Sequence, residues 1–175
     1  RLFFAGSTLA AACQGWMLGR YVSGFGSGWN YPVFAAAIAA ALPMAYVLLG
    51  AAWLIMKTEG ELQQRAVRWA KIAWAPMAGG LVLISMATPW ISETVRQRWF
   101  VLPEVIALAA IPLMTAVLLL AVRGLLNSRL VRGDAAWAPF VLLIAVFVLG
   151  FLGLAYSLYP WVVIDRLTIW QAASS

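Results

Sequence analysis

The chain has no histidine and a single cysteine among its 175 residues. Without imidazole it offers no histidine-ligated haem, no histidine metal site and no histidine general base. Cys13 stands alone inside an apolar run, so no internal disulfide forms and a cysteine-based metal cluster is not expected. Charge is scarce as well: 10% of residues are charged and 65% are hydrophobic, with mean hydropathy +0.91. A soluble domain is about a quarter charged and about half apolar. This balance predicts an integral membrane protein. Acids are the scarcer sign, 6 against 12 bases, for a formal charge of +6. Such an excess can mark a nucleic-acid binder. Here the bases sit in loops between apolar runs, where they act as topology signals, and no nucleic-acid partner is expected.

What remains is apolar span, short polar loop, apolar span. The pattern predicts an all-α polytopic bundle with about five spans, near residues 2–20, 33–56, 72–90, 105–122 and 135–159. They form a single membrane domain over residues 1–175. The chain opens on Arg1 rather than Met, so it is read as an internal piece of a longer protein, incomplete at both ends. The stretch Ser23 to Pro32 is glycine-rich. It lacks the Gly-Lys-Ser/Thr of a phosphate loop and the strand a dinucleotide fold needs, so it reads as a turn with aromatic anchors. Pro43 and Pro112 fall inside spans and predict kinks, whereas Pro89 and Pro160 are expected to close theirs. Thr58 with Glu61 has the spacing of a helix-starting capping box, and Glu61 with Arg65 that of a stabilising ion pair. Residues 59–71 therefore read as a surface helical turn or two before the third span. Gly6, Gly15, Gly50, Gly79, Gly80 and Gly150 are the expected points of close helix contact, within the chain and with a partner subunit.

Five spans put Arg1, Lys57, Arg65, Arg68, Lys71, Arg123, Arg129 and Arg132 on one face, eight bases in all. Arg20, Arg96, Arg98 and Arg166 make four on the other. The positive-inside rule places loops 57–71 and 123–134 in the cytoplasm.

Chemistry inside the spans is sparse. Every ionisable residue other than Cys13 and the tyrosines lies in a loop or at a span end, so no intramembrane proton relay is visible. Ser7, Thr8, Gln14, Ser85 and Thr115 are the polar groups left inside. Most are expected to bond to their own or a neighbouring helix. Gln14 could instead serve a partner subunit, a quinone headgroup or a water file. Glu59 and Glu61 are explained by capping and solvation, with proton entry or a partner contact as the functional alternative. Trp53 reads as an interface anchor and Lys57 as a snorkelling base.

The tract Leu48-Leu-Gly-Ala-Ala-Trp-Leu-Ile-Met-Lys-Thr-Glu-Gly-Glu-Leu-Gln64 resembles subunit II of cytochrome bd-type quinol oxidases. Gly50, Trp53, Lys57, Thr58, Glu59 and Gly60 lie in it. A second tract, Ser157-Leu-Tyr-Pro160 followed by Leu167 to Ser175 with Trp170 and Gln171, is similar to the segment before the family's last helix. The start of the chain, around Gln14, resembles the family's fourth helix. Many members carry Asp where this chain has Gln171, and the Gln form looks more like the cyanide-insensitive branch. The resemblance spans essentially the whole chain, as helices four to eight of about nine. It implies a multi-pass subunit of the bacterial plasma (inner) membrane, without catalytic residues or haem of its own. The b-type and d-type (or third b-type) haems would belong to partner subunit I. The heterodimer would draw on the quinol pool, reduce oxygen to water, and rely on this subunit for assembly and for proton or oxygen access. From the residues alone, a secondary transporter broken at Pro43 and Pro112, or a membrane assembly subunit, stays open.

Overall fold

The computed structural model describes residues 2–91, 96, 104–163 and 167–173. Arg1, Glu93, Arg98, Asp165, Arg166 and most of the expected 91–104 loop lie outside the described residues. Within them the chain is a helical bundle. Helix α1 is Leu2–Val22, α2 Asn30–Lys57, α3 Gly60–Ile91, α4 Glu104–Asn127 and α5 Ala138–Leu158. A 3-10 turn, Arg129–Arg132, links α4 to α5. Beyond α5 come two short antiparallel strands, β1 (Trp161–Val163) and β2 (Leu167–Thr168), and a final turn of helix, α6 (Ile169–Ala172).

Four of these helices, α2 to α5, are long and apolar enough to cross a membrane. Helix α1 is diluted by Ser7, Thr8, Gln14 and three glycines and falls outside that group. Its 21 residues still reach about 31 Å. Long helices are the form a chain takes where water is absent, because each backbone donor is satisfied within the segment.

Three expectations about boundaries are corrected. The third element is not a surface turn followed by a span: α3 runs unbroken from Gly60 to Ile91. Pro89 does not end it but sits in its last turn. Arg123 is not in a loop, since α4 continues to Asn127. Pro43, Pro76 and Pro112 also lie inside helices. Pro160 does follow the end of its helix, whose C-cap is Tyr159.

Helices α2 and α3 form the most extensive pair, and α5 and α4 close over them. The core is small-sided: Ala45, Ala51, Ala52, Ala66, Ala70 and Ala73 are buried beside Leu48, Ile55, Val122, Leu143 and Val146. Small residues let helices approach where apolar lipid supplies no driving force of its own. Helix α1 joins α2 through glycine. A β-carbon on Gly15 would come within 2.7 Å of Ala39 Cα, and one on Gly19 within 2.5 Å of Ala35 Cα. Gly80 meets Ala41 in the same way, at 2.6 Å. Gly6, Gly50, Gly79 and Gly150 were expected in close contacts, but no neighbouring element among the described residues lies within 4 Å of their β positions. Gly153, close to Ile111 of α4, was not foreseen.

The glycine-rich stretch is a turn over residues 23–29, shorter than the expected 23–32, because Asn30, Tyr31 and Pro32 already belong to the first turn of α2, where proline is tolerated. Gly24 and Phe25 adopt positive φ, and Arg20 donates to the Gly26 carbonyl at 3.2 Å.

Candidate functional site at the charged end of the bundle

The C-terminal ends of α2 and α4 and the N-terminal ends of α3 and α5 meet at one end of the bundle. Trp53 of α2 packs edge-on against Phe140 of α5, with ring centroids 5.0 Å apart. Trp74 of α3 donates its indole N–H to the Leu119 carbonyl of α4 at 2.9 Å. This end carries Lys57, Arg65, Arg68, Lys71, Arg123, Arg129 and Arg132 against Glu59, Glu61 and Asp134.

The first signature tract forms the α2–α3 corner. A helix ends with carbonyls that lack intrahelical partners. The Thr58 hydroxyl and its backbone N–H both donate to the Leu54 carbonyl, at 2.6 and 3.0 Å. Thr58 therefore closes α2. It does not start α3, and the expected capping box with Glu61 is not formed. Gln63, buried to 6% exposure, donates its amide to the next free carbonyl, Ile55, at 3.0 Å. Gly60 takes φ +67°, a left-handed conformation that reverses the chain between the two helices. Nothing crowds its β position, so the glycine is there for its backbone. Lys57 lies with Nζ 5.1 Å from the Trp53 ring centroid, one turn along α2. Glu59 is exposed. Glu61 pairs with Arg65 at 3.5 Å as expected, and both side chains are well exposed.

The second tract folds into a unit of its own. Trp161 pairs with Thr168 across β1 and β2, and the Ile169 N–H donates to the Pro160 carbonyl at 2.9 Å. Tyr159 meets Trp170 edge-on at 6.3 Å. Here a capping box does form. The Gln171 N–H donates to the Thr168 hydroxyl at 3.3 Å, and the Thr168 N–H to the Gln171 side-chain carbonyl at 2.9 Å. Gln171 thus orders the start of α6.

Gln14 is distant from both tracts. It accepts a hydrogen bond from the Tyr46 hydroxyl of α2 at 3.2 Å. Ser7 and Thr8 donate back to the Phe3 and Phe4 carbonyls. Ser7 and Thr8 therefore bond to their own helix, and Gln14 accepts from a neighbouring one.

Gln63 and Trp74 went unnoticed in the sequence. Gln63 has a faint signal, a polar residue at a core-facing position of an otherwise charged turn. Trp74 has none, since its partners lie 45 and more residues away.

Fold and corner together define a multi-pass, all-α membrane protein whose charge is gathered at helix ends. A family model described as Cytochrome bd terminal oxidase subunit II matches residues 1–175, and the chain belongs to that family. It is therefore a subunit type of a terminal oxidase complex, and such a complex is its partner. Comparison with curated proteins and with solved structures returns no match.

Proposed function

We propose that this chain is the haem-free scaffold of a bd-type quinol oxidase in a bacterial plasma membrane. It stands beside a subunit I that carries the b-type and d-type (or third b-type) haems, oxidises quinol and reduces oxygen to water. The family match across residues 1–175 carries the reading. Two features support it. No histidine is present to ligate a haem. Large apolar side chains stay exposed on every span, Ile72, Val82, Met86, Leu113 and Phe151 among them, a surface suited to lipid and to a second subunit. In this reading the non-catalytic role is assembly and shaping of proton or oxygen access, and the base-rich end of the bundle faces the cytoplasm.

Tagged full-length protein, gently solubilised from native membranes, tests it. The expected result is a co-purifying haem subunit, visible in a reduced-minus-oxidised spectrum, with quinol-dependent oxygen uptake. A colourless preparation from membranes that contain bd-type oxidase activity overturns the proposal.

A further inference from the structure

Lys71 of α3 and Arg123 of α4 line one small cleft of about 190 Å³, together with Trp74, Leu126 and Asn127. No carboxylate pairs with either cation among the described residues. The Arg123 guanidinium stacks on the Trp74 ring, 4.7 Å from its centroid, so it is held in place while its charge stays open. Trp74 is also the first residue of a second feature. A wide, open apolar face of about 930 Å³ runs along α3 past Ala78, Val82, Met86 and Trp90, with Asn30 of α2 beside it. Trp74, Ala78, Val82 and Met86 are four residues apart and form one stripe, about 18 Å long at helical rise. Two cations and an amide therefore sit at the head of an apolar helix face that starts from the same tryptophan.

We propose that this composite surface holds one anionic phospholipid. Its phosphate sits between Lys71 and Arg123 with the Asn127 amide beside it, and an acyl chain lies along the stripe below Trp74. Charge complementarity selects the occupant. Lys71 and Arg123 are exposed, and an apolar helix of another subunit brings them no counter-charge. Phosphatidylcholine brings a phosphate, but its choline cation cancels that charge and is repelled by the two bases, so a net-anionic headgroup is favoured. A basic pocket between helices at the interface is the arrangement that anionic headgroups recognise, and the apolar face separates this site from one for free phosphate. The proposal is independent of the oxidase reading: haem in the preparation speaks to that reading, and bound lipid to this one.

The test uses the full-length protein in the assembly in which it purifies, stripped of loose lipid and titrated in micelles with phosphatidylglycerol or phosphatidylcholine. Native mass spectrometry counts what stays bound. The expected result is a retained phosphatidylglycerol that millimolar inorganic phosphate does not displace, and no retained phosphatidylcholine. Lys71→Ala should weaken retention about fivefold, and Lys71→Arg should restore it. Lys71 makes no side-chain bond that the fold needs, so this variant keeps its helices. Ala78→Leu, which reshapes the apolar face without touching the cations, should also weaken retention. Equal retention of the two lipids, displacement by phosphate, wild-type binding by Lys71→Ala, or a face covered by another subunit overturns the proposal.

Discussion

Gly15 of α1 lies against Ala39 of α2 with no room for a β-carbon between them. Ala39 is also four residues before Pro43, whose missing N–H leaves the Ala39 carbonyl without its intrahelical donor. One of the two tight contacts between these helices therefore falls on the turn of α2 from which its own proline removes a hydrogen bond. Gly15→Leu or Gly19→Leu must push α1 away, with overpacking that costs about 1–3 kcal/mol. The expected outcome is a lower level of folded subunit, read by fluorescence-detected size exclusion. Gly50→Leu meets no neighbouring element among the described residues and should leave that level at wild type. If Gly50→Leu then lowers the haem content of the complex, its face contacts subunit I.

Gln63 ties the first turns of α3 to the last carbonyls of α2. Gln63→Leu keeps the volume but removes the donor from the buried Ile55 carbonyl. An unsatisfied buried acceptor costs about 1–3 kcal/mol. The thermal midpoint of the solubilised protein should fall, and Gln63→Glu should not restore it, because a carboxylate cannot donate. A wild-type midpoint for Gln63→Leu refutes the role.

At Gly60 the requirement is conformational. Gly60→Ala has space for its methyl group yet should destabilise by about 1–2 kcal/mol, the cost of a left-handed L-residue. Gly60→Asn should lose less, since asparagine tolerates this region. Equal stability of all three proteins would mean that the corner relaxes to another turn.

Gln171 offers a local readout. Gln171→Ala removes half of the capping box, worth about 1 kcal/mol in other helices. The Thr168 amide should then exchange its hydrogen faster, while Gln171→Glu keeps the acceptor and the protection. Unchanged exchange at Thr168 in Gln171→Ala would show that the box is not formed in the membrane.

Much of this was legible in the residues. The apolar runs located the five long helices among the described residues, because a backbone crossing lipid must satisfy itself within its own segment, and hydropathy reports that directly for α2 to α5. The i,i+4 pair Glu61–Arg65, the back-bonded Ser7 and Thr8, and a turn over residues 23–29 also followed from short-range rules. Thr58 shows where such rules stop. Its spacing to Glu61 suits a helix start, but the same hydroxyl is equally near the carbonyls of the helix it follows. The unbroken run of α3 from Gly60 placed it on the latter.

The residues alone set the class: an all-α, multi-pass chain, poor in charge and without histidine. Which glycines touch was settled by how the helices pack. A glycine's lack of a side chain is a local property, whereas its contact depends on the register and rotation of a second helix. That is why Gly15, Gly19, Gly80 and Gly153 are closely packed while Gly6, Gly50, Gly79 and Gly150 are open. For the same reason Lys71, Trp74 and Arg123, separated by about half a hundred residues, meet in one cleft that no spacing could announce.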